Sequence, residues 1–366
     1  MAIGLATHEL FYWYEHGSSA LFGRRPGVEP HLHVDTPDAK RRVRGLFEVS
    51  GLMAHCVALK PAEAVVSALT GVHDPAYVAR VLALSEGPGG DAARGAWVPQ
   101  EGARIVRLAA GAAMAAADAV LDGQVETAYA LTRPAGHHAE RAGGMGFCIF
   151  NNVALAARHA LQRADVARVA IVDWDVHHGN GAQEIFYSDP NVLTISLHQD
   201  GLFPLDTGHL RETGAGDGTG LNINVPLPAG SGHDAYVAAV TEVVVPALEA
   251  FAPDLVILAS GYDACVFDPL GRMLAHMETY RCMTEAIKAV ADSVCCGRVV
   301  AVHEGGYSPV YAPYCALAVA EALSGTWTGV ADPFAEVAGY PDQRMKPEQR
   351  AVIDAAAALA AALRGE

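Results

Sequence analysis

The segment Val169-Ala-Ile-Val-Asp-Trp-Asp-Val-His-His-Gly-Asn180 joins a short apolar run to a cluster of acidic and imidazole side chains. The run Val169–Val172 has the composition of a buried parallel strand. Side chains of an extended chain alternate between two faces, so Asp173, Asp175 and His177 are expected on the same face. Two carboxylates that converge away from water need a compensating cation, which predicts a metal ion at the end of this strand.

Further apolar runs of this kind recur along the chain, and helix-like segments separate many of them. The predicted strands are Thr127–Leu131, Val169–Val172, Val192–Leu197, Asn222–Val225, Leu255–Ala259 and Val299–Val302. The predicted helices are Ala103–Leu121, Asn152–Gln162, Asp234–Phe251, Glu278–Val294 and Pro313–Leu323, and Pro246 is expected to kink the third. This alternation predicts an α/β protein with an open parallel sheet. Because no repeat or long linker divides the chain, one continuous domain over residues 1–366 is expected.

Composition excludes several classes of protein. Hydrophobic residues make up 51% of the chain and charged residues 18%, which is typical of a globular protein with a large core. The formal net charge of −16 disfavours nucleic-acid binding and suits cationic ligands. The N-terminus lacks a secretory signal pattern, and no apolar stretch approaches the roughly 20 residues that span a bilayer. These features predict a cytoplasmic protein without membrane insertion.

A second predicted strand, Leu255–Ala259, leads to another carboxylate, Asp263. The carboxyl ends of parallel strands meet at one edge of a sheet, so Asp175, His177 and Asp263 form a candidate ligand set. Such a set leaves coordination positions for water and substrate, as a catalytic zinc ion requires, although iron, cobalt or manganese would accept the same ligands. A structural acidic cluster is the alternative, and two strands that point to one site weigh against it.

Two further strands also end in polar motifs. The strand Thr127–Leu131 leads to the tandem His137 and His138, which are placed where a general base and an imidazolium would flank a water molecule. The strand Val299–Val302 ends in Glu304-Gly-Gly-Tyr307, where the glycines allow a turn that directs a phenol toward a substrate carbonyl. Taken alone, that tyrosine is more typical of packing than of catalysis.

These motifs, in this order, resemble the zinc-dependent histone deacetylase family, and in particular the class II type of its bacterial amidohydrolases. The resemblance also includes Asp35-Thr-Pro-Asp-Ala-Lys-Arg-Arg42, Gly144-Met-Gly-Phe-Cys-Ile-Phe-Asn-Asn152, Ser196-Leu-His198 and Gly261-Tyr-Asp263. It implies the arginase/deacetylase fold, a single open parallel sheet of about eight strands flanked by helices. It also implies removal of acetyl or related acyl groups from lysine side-chain amides, with one zinc ion on Asp175, His177 and Asp263.

The resemblance assigns roles to individual residues. His138 would take a proton from water at the metal and return it to the leaving amine, His137 oriented by Asp173 would give electrostatic support, and Tyr307 would stabilise the oxyanion. Asn180, where one large branch of the family has aspartate, would be the neutral partner of the second histidine. The implied substrate-binding residues are Gly146, Phe147, Phe203, Leu270 and Asp91. The implied ligands of a structural potassium ion are Asp173, Asp175, His177, Ser196 and Leu197.

Several alternatives and partners stay open. An acetylpolyamine amidohydrolase shares this machinery, but the family member tuned to polyamines has glutamate at the position of Leu270. A two-manganese ureohydrolase needs a D-x-D motif, whereas Asp263 is followed by Ala-Cys-Val-Phe before Asp268. Completeness of the motifs argues against a catalytically silent acyl-lysine binder. The expected partners are an acyl-lysine protein or peptide or a small acylated amine, and a homo-oligomer through the loop around Gly17–His33.

Overall fold

All six predicted strands are present in the computed structural model, which describes residues 2–17, 29 and 32–365. The strands are β1 (Ile3–Ala6), β2 (Cys56–Leu59), β3 (Gly90–Asp91), β4 (Trp97–Val98), β5 (Thr127–Ala130), β6 (Val169–Asp173), β7 (Val192–Gln199), β8 (Asn222–Leu227), β9 (Leu255–Ser260) and β10 (Val299–His303). Eight of them form one parallel sheet in the order β2-β1-β5-β10-β9-β6-β7-β8, while β3 and β4 form an antiparallel pair. The predicted α/β architecture with an eight-stranded parallel sheet is confirmed.

Helices flank this sheet, and four of the five predicted ones begin and end close to the predicted residues. The α-helices are α1 (Asp38–Val49), α2 (Val66–Thr70), α3 (Pro75–Glu86), α4 (Gly102–Leu121), α5 (Asn152–Ala160), α6 (Asn180–Phe186), α7 (His233–Ala239), α8 (Val245–Phe251), α9 (Met277–Val294), α10 (Ala312–Ser324) and α11 (Pro347–Ala362). Short 3-10 helices occupy Glu9–Trp13, Leu52–His55, Gly216–Gly218, Ala335–Gly339 and Pro341–Gln343. Within the described residues, no helix combines the length and the apolar character needed to cross a membrane.

The helix predicted over Asp234–Phe251 is instead divided into α7 and α8 by a π-helical turn, Val240–Val244. Pro246 lies in the first turn of α8. A proline has no N–H to donate, and its ring collides with the carbonyl four residues earlier in a regular α-helix. The wider π turn before Pro246 accommodates that ring, so the interruption expected from the proline takes this form.

Both faces of the sheet are buried, which leaves the strand ends for polar groups. Val172 and Leu258 pack in the core on one face, and their neighbours Ile171 and Ile257 pack on the other. The first face is covered by α9 and α10, and the second by the alanine-rich α4 and by α5. This two-sided burial explains why the strands are continuous apolar runs without alternation. The chemistry is therefore confined to the loops at the sheet edge.

Candidate functional site

Four adjacent strands deliver the candidate site residues to one edge of the sheet. The strands β5, β10, β9 and β6 are neighbours, and their carboxyl ends face the same way. The segments that follow them carry the tandem histidines, Tyr307, Asp263, and Asp175 with His177, respectively. In open α/β sheets, ligands bind in the crevice beyond these strand ends. The structure thus brings the predicted metal ligands and catalytic candidates together.

Asp175, His177 and Asp263 present ligand atoms within 4.8 Å of one another, and all three are buried. Asp175 Oδ1 lies 2.9 Å and Asp263 Oδ2 3.1 Å from His177 Nδ1, and no described residue donates a well-oriented hydrogen bond to Asp263 Oδ2. Burial lowers the pKa of His177, but the two carboxylates outweigh burial and raise it to about 10. The site therefore favours positive charge, and a divalent cation would replace the proton that these carboxylates attract.

The glycine turn after β10 lets the ligand carboxylates approach the backbone closely. The N–H of Gly305 donates to Asp175 Oδ2 at 2.8 Å. A Cβ atom at position 305 would lie 2.2 Å from Asp263 Oδ2 and 2.5 Å from Asp175 Oδ2, so any larger residue would displace both carboxylates. The motif Glu304-Gly-Gly-Tyr307 therefore needs this glycine for ligand positioning as well as for the turn.

The tandem histidines have opposite electrostatic environments. His137 Nδ1 lies 2.9 Å from Asp173 Oδ2. Burial lowers the pKa of His137, but Asp175 and then Asp173 outweigh it and raise that pKa to about 10. His138 Nδ1 lies 2.7 Å from Asn180 Oδ1, and burial followed by the charge of His137 holds the pKa of His138 well below its usual value. A cationic imidazole therefore lies beside a neutral one, which supplies both charge stabilisation and a base.

A pocket of about 160 Å³ opens beside the histidines. The ring of Phe203 lies 5.0 Å from that of His138, and the ring of Phe147 lies 6.0 Å from that of Tyr307. A Cβ atom at Gly146 would lie 2.6 Å from the His138 ring, so a larger residue would crowd this wall. Apolar walls with a polar base suit an aliphatic chain that ends in a polar group. The lining residues are His138, Gly146, Phe147, His177, Leu202, Phe203, Leu270 and Tyr307.

Tyr307 lines the pocket on a backbone that Asp268 holds in place. Asp268 Oδ2 accepts hydrogen bonds from the N–H groups of Tyr307 at 2.6 Å and Ser308 at 3.2 Å. Burial, followed by the negative charges of Asp263 and Asp175, holds the pKa of the Tyr307 phenol well above its usual value. The phenol therefore keeps its proton and is available as a hydrogen-bond donor. Sequence reasoning did not single out Asp268 as a site residue.

Asp91, Ser196 and Leu197 are among the predicted site residues that do not line the pocket. Asp91 is exposed and lines a second groove. Phe203 lines both this groove and the pocket. Ser196 lies opposite Asp173 in the register of β6 and β7, and Leu197 follows it as a buried residue of β7. Ser196 Oγ accepts a hydrogen bond from the N–H of Gly179 at 3.2 Å. Most of the loop around residues 17–33, the expected assembly surface, lies outside the described residues.

Glu304 organises the histidine loop, although its motif was noted only for its tyrosine. Its Oε2 accepts hydrogen bonds from the N–H groups of Gly136 at 2.6 Å and His137 at 3.1 Å. With His137 and Cys148 it forms a second group of possible metal ligands. Those two N–H groups already engage Glu304 Oε2, and burial holds the pKa of the Cys148 thiol well above its usual value, so the thiol is a poor metal ligand. The donor chemistry therefore favours the Asp175, His177 and Asp263 group for the cation.

The histone deacetylase domain matches residues 33–323 of the chain. The chain belongs to the histone deacetylase family. It is 44% identical over 329 residues to a histone deacetylase-like amidohydrolase from Pseudomonas aeruginosa, a match that covers 89% of this chain and 87% of that relative. It is 38% identical over 295 residues to a polyamine deacetylase from Mus musculus, which covers 76% of this chain and 43% of that protein.

A solved structure of the family matches almost the whole chain. The crystal structure of the HDA15 HD domain superposes with a TM-score of 0.85 at 30% identity, and 99% of each chain is covered. The fold is therefore the arginase/deacetylase fold of this family. Membership in the histone deacetylase family makes the protein an enzyme of the deacetylase/amidohydrolase type.

Proposed function

We propose that this protein is a zinc-dependent amidohydrolase that removes acetyl or related acyl groups from lysine side-chain amides. The observation that carries the proposal is the narrow pocket whose apolar walls lead to His138, His177 and Tyr307. An acyl-lysine side chain is an aliphatic stem that ends in an amide, which matches apolar walls and a polar base. The family and the bacterial amidohydrolase relative support the same reaction class.

The residues at the base of the pocket have distinct roles in amide hydrolysis. A zinc ion held by Asp175, His177 and Asp263 would supply Lewis acidity toward water and the amide carbonyl. His138 Nε2, the ring nitrogen not engaged by Asn180, accepts the proton of the attacking water and later donates it to the amine as the C–N bond breaks.

The negative charge that develops on the carbonyl oxygen is stabilised from two sides. The Tyr307 hydroxyl donates a hydrogen bond to this oxygen, and the high pKa of the phenol keeps that proton in place. His137, which Asp173 holds as a cation, contributes positive charge nearby. The products are a free amine and a carboxylate.

Two further parts of the proposal concern a second ion and the substrate. A structural potassium ion would lie next to the zinc ion, and the pairing of Asp173 with Ser196 on adjacent strands supports it. Its other ligands would come from Asp175, His177 and Leu197.

Leu270 lines the pocket, and an apolar side chain cannot pair with the distant ammonium group of an acetylated polyamine. Acyl-lysine is therefore the favoured substrate over polyamines.

Metal removal tests the proposal. Chelation should abolish hydrolysis of an acetyl-lysine peptide and zinc should restore it, while circular dichroism retains the folded signal because the ligands lie outside the sheet core. An Asp175→Ala variant is the matched control, since added zinc should fail to restore its activity. Full activity in protein verified to contain no metal would refute the zinc-dependent mechanism.

A further inference from the structure

We propose that Glu140 is a positioning residue that selects the tautomer of His138 by orienting the amide of Asn180. The inference rests on the proposed function, in which His138 is the base. Glu140 Oε1 accepts a hydrogen bond from Asn180 Nδ2 at 2.8 Å, and Asn180 Oδ1 lies 2.7 Å from His138 Nδ1. Arg94 pairs with Glu140 Oε2 at 2.5 Å. A chain of polar contacts therefore runs from the rim of the pocket to the base.

In this series of polar contacts, the amide of Asn180 is the group whose orientation is ambiguous. A carboxylate can only accept the proton of His138 Nδ1, whereas an amide presents either its oxygen or its N–H₂ group. With Oδ1 toward the ring, Nδ1 carries the hydrogen and Nε2 keeps the lone pair that a base needs. With the amide reversed, Nδ2 donates to Nδ1, the ring hydrogen moves to Nε2, and His138 cannot accept a proton there.

Glu140 removes this ambiguity because its carboxylate only accepts. A reversed amide would place Asn180 Oδ1 against Glu140 Oε1, two oxygens without a hydrogen between them. The carbonyl of His138 also accepts from Asn180 Nδ2, at 3.3 Å, and favours the same orientation. A hydrogen bond to an ionised acceptor is roughly twice as strong as one to a neutral acceptor, so Glu140 makes the larger contribution.

The side chain of Glu140 does this separately from the structural role of its backbone. Its N–H donates to the carbonyl of Gly143, and its own carbonyl contacts His73 Nδ1 at 2.9 Å. These contacts shape the loop and do not involve the carboxylate. Asn180 and His138 are buried, whereas the Glu140 side chain is 27% exposed. Substitution of that side chain should therefore leave the loop fold in place.

A double-mutant cycle in the zinc-loaded enzyme tests the inference. Glu140→Ala should lower kcat on an acetyl-lysine peptide by about 10- to 100-fold with little change in KM, below the roughly 10⁴-fold cost of a wrongly held tautomer in a serine protease. Glu140→Gln should restore only part of the activity, because its amide oxygen can accept from Asn180 Nδ2 but its N–H₂ group can equally donate to a reversed Asn180 amide. In an Asn180→Asp background the amide ambiguity is gone, so Glu140→Ala should no longer lower kcat and should relieve a carboxylate repulsion.

A neighbouring glutamate provides the matched control. Glu184 lies in α6, one turn after Asn180, and its Oε2 accepts from the N–H of Arg141 at 3.0 Å, on the same loop as Glu140, whereas the Asn180 amide bonds to Glu140. Glu184→Ala should have the same small effect in the wild-type background and in the Asn180→Asp background. An equal loss of kcat for Glu140→Ala in both backgrounds would show that Glu140 acts only on loop structure and would overturn the inference.

Nitrogen NMR of the zinc-loaded enzyme labelled with ¹⁵N-histidine gives a readout that needs no substrate. The His138 signals, assigned by their loss in His138→Gln, should report hydrogen on Nδ1 in the wild type and a mixture of the two tautomers in Glu140→Gln. They should shift toward hydrogen on Nε2 in Glu140→Ala, and an unchanged Nδ1–H signal would overturn the inference. The two proposals can fail separately. If the His138 tautomer shifts between the wild type and Glu140→Ala but the wild type hydrolyses no acyl-lysine peptide, the proposed function is refuted while the action of Glu140 on His138 is supported.

Discussion

Acidification should destabilise the protein through His73, and a His73→Gln variant should lack this part of the pH dependence. His73 is buried, its Nδ1 lies 2.9 Å from the carbonyl of Glu140, and its Nε2 accepts from the N–H of Asn151 at 3.0 Å. The rings of Tyr77 and Phe150 pack beside it. A proton on Nε2 would face the N–H of Asn151, so the folded state requires the neutral ring.

The magnitude follows from the difference between the folded and unfolded pKa values. Burial is the main cause that lowers the pKa of His73 from 6.5 to about 4; Arg141 also lowers it, while the hydrogen bond to Glu140 and the charge of Asp74 oppose this change. The contribution of neutral His73 to the free energy of unfolding is present in full above pH 6.5. It is lost as the pH falls toward 4, because the unfolded chain takes up a proton that the folded chain excludes. The total is about 3 kcal/mol, of which about 2.5 kcal/mol falls between pH 7.5 and pH 4.5.

Urea unfolding at a series of pH values measures this effect. Glutamine keeps one acceptor and one donor and does not titrate, so His73→Gln should cost only about 1 kcal/mol at pH 7.5. Between pH 7.5 and pH 4.5, the wild type should lose about 2.5 kcal/mol more of its unfolding free energy than the variant loses. Parallel curves for the two proteins would show that His73 accepts its proton equally well in both states, which would refute this reasoning.

Two substitutions probe the pocket itself. Tyr307→Phe should lower kcat by about 10²–10³, the usual scale for one oxyanion donor, and an unchanged turnover number would identify Tyr307 as a packing residue. Leu270→Glu should shift the ratio of kcat/KM values toward acetylated polyamines, and a tenfold shift corresponds to about 1.4 kcal/mol. Both substrate classes should be measured on both proteins, and a wild-type preference for acetylpolyamines would overturn the acyl-lysine assignment.

The central strands can be predicted from sequence because they are buried on both faces. Val169–Asp173 and Val299–His303 are apolar runs followed directly by polar motifs. In contrast, β1 contains a glycine and β2 is only half-buried, and neither has a distinctive pattern. Both are strands because β5 supplies a paired edge for β1 and β1 in turn supplies one for β2. Strand formation of this kind depends on tertiary context more than on local composition.

The same contrast separates the ligands from the residues that support them. Asp175, His177 and Asp263 are predictable because each follows a strand and the sheet edge brings them together. Asp268 and Glu140 act through loop geometry, and no sequence spacing pairs Glu140 with Asn180, 40 positions away. Asp91 is carried by the β3–β4 pair, whose strands of two residues have no recognisable pattern, so its place on the neighbouring groove could not be inferred.

The placement of the site across four strands also links activity to the final stage of folding. The hydrogen bond from Gly305 to Asp175 spans 130 positions of the chain, and the one from Gly136 to Glu304 spans 168. Contacts of such high contact order carry a large loop-closure cost and form slowly. In a partly folded chain with only β6 and β7 paired, Asp175 and His177 could be in position. Asp263 and Tyr307 would not yet be, because they follow β9 and β10. Recovery of hydrolysis during refolding therefore reports the completed sheet, later than signals that follow helix formation alone.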